Sequence, residues 1–234
     1  MSFEKDSFKW DELTVTRGIV ETFMADFLDS IDLDVAVVGA GPSGITAARI
    51  LAGQGHRVGI FERNLHIGGG IWGGGMLFPR IVIEEEAAPL MEAAGVKLRP
   101  WKDGTVIADA VESATKMTAA AIDAGARIFV GIEAEDVVVD DSDRVCGVVI
   151  NWGAVTAAKL HVDPLAVHSK VLIESTGHPC EVGDVLLRKI PGARLDTGET
   201  CVPGEASMNA RAGEAALIAN TREIYPGVVV AGMA

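Results

Sequence analysis

Apolar positions in the first 62 residues are spaced as in a helix, a strand, a second helix and a second strand. Near-helical spacing over 11–31 predicts an amphipathic helix, which we expect to form an amino-terminal arm of residues 1–31. Apolar runs predict strands at 34–38 and 57–62, and small residues between them predict a helix at 43–52. The sequence therefore predicts an α/β fold whose dinucleotide-binding βαβ core begins at residue 34.

The pattern beyond this unit predicts a smaller β-layer inserted into the α/β core. Residues 84–94 and 113–124 are predicted helices, and 97–108 between them is predicted strand at the edge of the smaller layer. Later apolar runs predict strands at 126–130, 136–139, 145–151, 171–174 and 227–231. The second and third of these flank a turn and predict a hairpin, and the fourth returns to the main sheet. We expect the edge of the last strand to be covered by a segment that the given sequence lacks or that another chain supplies.

The segment GGGIWGGGM at 68–76 is too rich in glycine for a regular helix or a central strand. It is either a flexible linker or a loop that contacts a ligand or a neighbouring subunit. Large apolar residues among its glycines, Ile71, Trp72 and Met76, favour the functional loop.

Composition and charge restrict the class of protein. With 49% hydrophobic and 23% charged residues, the 234-residue chain is typical of a globular protein, and we expect a single domain. A net charge of -13 without a cluster of Lys and Arg argues against nucleic-acid binding. No apolar run is long enough to span a membrane, and three cysteines without a CxxC pair indicate a reducing compartment, so we expect a cytoplasmic protein.

The segment VAVVGAGPSG has the glycine spacing of a dinucleotide phosphate turn. In such a turn Gly39 permits the tight bend, Gly41 lets a pyrophosphate approach the backbone, and Gly44 permits close packing of helix on strand. Glu62 follows at the end of the second predicted strand, where a carboxylate can accept hydrogen bonds from ribose hydroxyls. The alternative is that Glu62 forms a solvated ion pair with Arg63.

Two later segments are similar to strand-to-loop motifs of two-dinucleotide flavoproteins, LIESTGH at 172–178 and PGVVVAGM at 226–233. The predicted fold is therefore Rossmann-like and of this flavoprotein type. In those proteins the last strand usually ends in Gly-Asp, whose carboxylate holds the flavin side chain. Here Met233 follows Gly232, which counts against FAD.

The segment KLHVDP contains His161 and Asp163, and His178 follows in the next apolar segment. Histidine and aspartate are suitable ligands for a divalent metal such as Fe(II). Spacing alone leaves the alternative open that these are ordinary surface or core residues.

Taken together, ERNLHIGGGIWGGGM, NWGAVTAAKLHVDP, STGH and NTREIYPGVVVAGM resemble segments of the Thi4-type thiazole synthases, in the same order. That family makes the adenylated thiazole precursor of thiamin from NAD, glycine and a sulfur source. Members that give up their own sulfur have Cys where this chain has His161. The resemblance therefore implies the archaeal-type branch, which uses free sulfide.

The resemblance also implies a set of site residues. Asp163 and His178 would bind Fe(II) from adjacent protomers of a homo-oligomer, expected to be a ring-based octamer, and His161 would be catalytic. The residues implied to line the NAD site are Ser43, Glu62, Arg63, Gly70, Ala134, His161 and Met233. NAD would be a substrate, which loses nicotinamide, condenses with glycine, rearranges to a ketone, takes up sulfide and cyclises.

Family members continue beyond the GMA motif into a glycine-rich segment with an arginine that binds the glycine carboxylate. The given sequence stops at Ala234, so we expect a chain that ended there to bind glycine weakly. Three other functions stay open at this point: an FAD-linked oxidoreductase, a ribose 1,5-bisphosphate isomerase, and a nucleotide-binding protein without catalysis.

Overall fold

The computed structural model describes residues 10–198, 200–205 and 207–234. The elements alternate between strand and helix over most of these residues. The helices are α1 (Glu12–Leu28), α2 (Pro42–Gly53), α3 (Ala88–Ala93), α4 (Ala110–Asp123), α5 (Gly153–Ala157), α6 (Glu181–Lys189) and α7 (Ala210–Asn220). The strands are β1 (Asp32–Val38), β2 (Val58–Glu62), β3 (Arg80–Glu84), β4 (Leu98–Pro100), β5 (Thr105–Asp109), β6 (Arg127–Val130), β7 (Ile132–Val139), β8 (Val145–Trp152), β9 (Leu165–Glu174), β10 (Arg222–Tyr225) and β11 (Val228–Val230).

The main sheet contains eight strands within the described ranges, and its central path is β10-β11-β9-β1-β2-β6. The strands β11, β9, β1, β2 and β6 are parallel, whereas β10 is antiparallel at one edge. β9 is long enough to pair at its start with β8 and at its end with β11. The hairpin of β7 and β8 is therefore attached to the main sheet, and the predicted βαβ unit and hairpin are both confirmed.

The smaller layer is a three-stranded antiparallel sheet in the order β3-β5-β4. It confirms the inserted β-layer, but it corrects the predicted helix at 84–94. That segment contains the last residue of β3, a 3-10 turn and the short helix α3. β3 forms because Ile81 and Ile83 pack on the core beside β5, so alternate burial outweighs the helical tendency of the glutamates that follow.

The expectation that the last strand has an uncovered edge is wrong. β11 lies between β9 and β10, and β10 of the same chain covers its outer side. The sequence pattern missed β10 because the segment Arg222–Tyr225 is short and alternates only weakly.

Two apolar clusters fill the two faces of the main sheet, as the alternation along β1 requires. Ala36 and Val38 face one cluster, and Val35 and Val37 face the other. Among the residues that the structure describes, no helix is long and apolar enough to cross a membrane.

The predicted amino-terminal helix is present as α1, but only its last turns contact the rest of the chain. Phe27 packs edge-to-face on Phe129 with 5.8 Å between ring centroids, and the Arg127 guanidinium donates to the Asp26 carbonyl at 2.8 Å. Leu13 and Ile19, nearer the start of α1, are exposed. This helix therefore presents an apolar face that the described part of the chain does not cover.

Asp34 should make the fold sensitive to acid. Hydrogen bonding to Lys170, helped by the Arg57 amide, lowers the Asp34 pKa from 3.8 to about 2. A folded-state pKa below the unfolded value stabilises the protein above about pH 4, and this contribution is lost as the pH falls towards about 2. Urea unfolding at several pH values should therefore show a weaker acid dependence in Asp34→Asn, whereas Asn at the exposed Asp141 should leave the dependence unchanged.

Candidate functional site

A cavity of about 940 Å³ opens at the carboxyl ends of the parallel strands. Its wall combines residues of the phosphate turn, the end of β2, the glycine-rich loop, the β9–α6 loop and the end of the chain. Of the predicted site residues, the wall contains Gly39, Gly41, Ser43, Glu62, Arg63, Gly70, Ala134, His178 and Met233. His161 and Asp163 are not in the wall and are exposed in the loop after α5.

The phosphate turn has the geometry that its glycines predict. Gly39 has a φ of +97°, and a Cβ there would lie 2.5 Å from the Ser175 carbonyl oxygen. Gly44 packs behind the cavity, where a Cβ would lie 2.2 Å from the Gly39 carbonyl oxygen. Gly41 caps α2 without a side-chain hydrogen bond, so the first amides of the helix are positioned to bind an anion.

Glu62 is buried and holds the phosphate turn in place. Its Oε2 accepts a hydrogen bond from the Ala40 amide at 2.9 Å, and its Oε1 accepts from the amide and the side chain of Asn64, each at 2.8 Å. The alternative of a solvated pair with Arg63 is therefore wrong. A carboxylate oxygen can accept about two hydrogen bonds, so Oε2 retains capacity for a ribose hydroxyl.

Arg63 instead forms an ion pair with Glu181, the first residue of α6. Both side chains are partly exposed and both residues line the cavity. The pair joins the end of β2 to the start of α6 across the wall of the cavity. A ligand with a negative group could compete with Glu181 for the Arg63 guanidinium.

Two buried polar residues that the sequence pattern did not predict as site residues are Glu174, which ends β9, and Ser175, which follows it directly. The Ser175 hydroxyl shares its single hydrogen between the carbonyl oxygens of Val38 and Gly39, at 2.8 and 3.0 Å from Oγ, and so links β9 to the phosphate turn. Glu174 is fully buried, and desolvation raises its pKa although backbone amides donate to it. The available signal was a pair of polar residues directly after the apolar run of β9, in the segment LIESTGH.

The candidate metal ligands are not brought together within one chain. His178 lies in the cavity wall with its side chain half exposed and Nδ1 3.7 Å from a carboxylate oxygen of Glu205, whereas Asp163 lies outside the wall. Across residues 10–198, 200–205 and 207–234, no three His, Cys, Asp or Glu side chains are grouped so that they could hold a metal ion. A site made from these ligands would therefore need a second chain.

Cys180 lies close to His178 in sequence but is a poor nucleophile. It is buried, and desolvation together with the nearby Glu174 charge raises the pKa of its thiol to about 11. A thiol with this pKa stays protonated at neutral pH.

In the sheet, β1 lies between β2 and β9. The cavity opens at the carboxyl end of β1, where the connections lead to opposite sides of the sheet. This is the crevice in which open α/β sheets bind nucleotides. The fold and the site together define a Rossmann-like protein of the two-dinucleotide flavoprotein type.

Comparison with known proteins identifies the family. The model of the Thi4 family matches residues 16–234. A thiamine thiazole synthase from Methanococcoides burtonii is 47% identical over 226 residues, which cover 97% of this chain and 87% of that protein. Another from Solidesulfovibrio magneticus is 48% identical over 227 residues, covering 96% and 86% of the two chains. The chain belongs to the Thi4 family.

Solved structures agree with this assignment. The crystal structure of Thermovibrio ammonificans THI4 superimposes with a TM-score of 0.91 at 41% identity, covering 97% of this chain and 86% of that chain. A geranylgeranyl bacteriochlorophyll reductase-like protein from Thermoplasma acidophilum has a TM-score of 0.50 at 21% identity. This superposition covers 66% of this chain and 41% of the Thermoplasma chain, and the likeness concerns the fold alone.

Proposed function

We propose that the protein is a thiamine thiazole synthase that converts NAD, glycine and sulfide into an adenosine diphosphate thiazole carboxylate with the help of Fe(II). The observation that carries this proposal is the cavity, which brings the phosphate turn, Glu62 and His178 into one wall. Membership of the Thi4 family, with relatives named thiamine thiazole synthase at 47% identity, supports the product class.

The cavity supports NAD as the bound nucleotide. Its volume of about 940 Å³ is in the range of cofactor pockets, which extend to about 1,000 Å³. The amides at the start of α2 would bind the diphosphate, and the Glu62 carboxylate would accept a hydrogen bond from a ribose hydroxyl and repel a 2′-phosphate. Ser43, Arg63, Gly70, Ala134 and Met233 complete the proposed NAD site.

The donor set fits Fe(II), since imidazole and carboxylate are both common ligands of this ion. His178 of one chain and Asp163 of a neighbouring chain would hold it, and water or substrate would complete the shell. Bound there, the ion would polarise a carbonyl and bring sulfide to the substrate. The exposed apolar face of α1 supports an oligomer, for which we retain the octamer as the proposed state.

The sulfur would come from solution. His161 stands where sulfur-donating members have cysteine, imidazole contains no sulfur, and the Cys180 thiol is buried with a raised pKa. Product formation should therefore require added sulfide, and the intact mass of the protein should be unchanged after turnover. His161→Ala should impair the reaction, because His161 lies two residues before Asp163 and would enter the neighbouring chain's site together with it. A product formed without sulfide, with loss of sulfur from a cysteine, would contradict this assignment.

The nucleotide that copurifies with the protein tests the proposed ligand. Mass spectrometry of a denatured extract should detect NAD, ADP-ribose or the thiazole adduct. A yellow extract with FAD would instead indicate the flavoprotein oxidoreductase. Turnover of ribose 1,5-bisphosphate would favour the isomerase, and tight ADP-ribose binding without any turnover would favour a non-catalytic protein.

A further inference from the structure

Glu174 is a buried carboxylate that the proposed reaction does not use. It ends β9, and its register partners on the two neighbouring strands are the apolar residues Val38 and Val230. Its Oε1 accepts a hydrogen bond from the Thr176 amide and its Oε2 accepts from the Val182 amide, each at 2.5 Å. In the part of the chain that the structure describes, Lys, Arg and His are not among its partners.

Burying the Glu174 carboxylate costs free energy of folding. Removing a carboxylate from water without a cationic partner opposes folding, and desolvation accordingly raises the pKa of Glu174. An apolar residue at this position could extend the surrounding core without that cost. The two hydrogen bonds that Glu174 accepts from backbone amides offset part of this cost and indicate what the carboxylate does.

The two bonds fix both ends of the loop 175–180, which connects β9 to α6. Thr176 lies at its start, and Val182 lies in the first turn of α6. The N-cap residue Cys180 has a φ of 44° and gives no side-chain cap, so Glu174 takes over the capping of this helix. Thr176 adds a third bond, because its Oγ1 accepts from the Glu181 amide at 2.9 Å.

The middle of this loop carries His178. Gly177, directly before it, has a φ of +82°, so the chain turns sharply at this point. Both Thr176 and His178 line the cavity. The direction of the imidazole therefore depends on a loop whose two ends are held by one buried carboxylate.

We propose that Glu174 is a positioning residue whose carboxylate fixes the loop 175–180 and thereby holds the His178 imidazole in the cavity wall for metal binding. The inference rests on the proposed function, in which His178 is a metal ligand. Glu174 itself contacts neither metal nor substrate in this account.

The test compares Glu174→Gln with the wild type. Gln has nearly the same size, but its NH₂ group would face one of the two backbone amides and lose that hydrogen bond. Anaerobic titration with Fe(II) should show affinity lower by about 10- to 100-fold, as is typical when a residue that orients a metal ligand is removed. Affinity for ADP-ribose should change little, and activity should recover at saturating Fe(II).

Two further variants separate positioning from general stability. Ser169 lies on the same strand, and its buried hydroxyl has no hydrogen-bond partner among the described residues, so Ser169→Ala should leave Fe(II) affinity unchanged. Thr176→Val removes the hydroxyl that accepts from the Glu181 amide and also hydrogen-bonds to the Glu174 carboxylate, and it should lower Fe(II) affinity in the same direction by a smaller factor. If Glu174→Gln does not fold, the Fe(II) affinity of Thr176→Val decides whether this loop positions His178 for metal binding.

Hydrogen exchange measures the order of the loop 175–180 without any bound metal. In Glu174→Gln without Fe(II), the amides of the loop 175–180 and of Val182 should exchange faster, while those of β1 should not. Unchanged loop exchange and unchanged Fe(II) affinity would overturn the inference. If the wild type itself binds no Fe(II), the proposed function fails, and the exchange data still decide whether Glu174 fixes the loop.

Discussion

Alanine at Asp163 or at His178 should remove bound Fe(II) and abolish turnover. Mixing the two inactive variants should restore part of the iron binding and part of the turnover. The physical reason is that we place the two ligands on different chains, because His178 lines the cavity and Asp163 is exposed outside its wall. In a mixed oligomer some sites receive Asp163 from one chain and His178 from another. Random mixing leaves about one site in four with both ligands, because each is intact in half of the chains.

Iron content and activity should be measured for each variant alone and after joint refolding or coexpression. Alanine at the exposed His56 is the matched control and should keep full iron occupancy and activity. If both variants retain iron, the assignment of these ligands is wrong. If each loses iron but the mixture recovers none, the site is not shared between chains.

Gly44→Ala should lower both the stability of the fold and its affinity for the nucleotide. The added methyl carbon would lie 2.2 Å from the Gly39 carbonyl oxygen and 2.5 Å from Ser175 Oγ, so α2 must move away from β1. Overpacking of this kind costs about 1–3 kcal/mol of unfolding free energy. The same movement displaces the amides that would bind the diphosphate, so ADP-ribose affinity should fall by at least about tenfold, which corresponds to about 1.4 kcal/mol.

Gly53→Ala is the control in the same helix, because a Cβ there meets no atom within 4 Å. It should bind ADP-ribose like the wild type and be equally stable or slightly more stable. Urea unfolding and calorimetric titration measure the two effects. An unperturbed Gly44→Ala protein would mean that the helix does not depend on close packing at this turn.

The βαβ unit could be predicted because its pattern is local. Alternating or continuous apolar residues define β1 and β2, and the spacing of Gly39, Gly41 and Gly44 after β1 has few other structural explanations. By contrast, α6 was missed because only Val182, Val185 and Leu186 mark its buried face and Gly183 interrupts it. The strand β3 was missed because glutamates follow it directly.

The buried polar residues in and beside the cavity differ in the same way. Glu62 could be predicted from its distance after the glycine turn, whereas Glu174 and Ser175 depend on the register of β9 beside β1. That register joins residues far apart in sequence, and single-sequence patterns do not contain it. The ion pair of Arg63 with Glu181 has the same origin, because it joins β2 to a helix over 100 residues later.

One anaerobic assay tests whether the protein makes a thiazole from NAD, glycine and sulfide with Fe(II). The full-length protein should be incubated with NAD, glycine, sulfide and Fe(II), and the products analysed by mass spectrometry. We expect an adenosine diphosphate thiazole carboxylate that forms only when all four components are present. Failure to form this product in a protein that holds both iron and ADP-ribose would contradict this expectation.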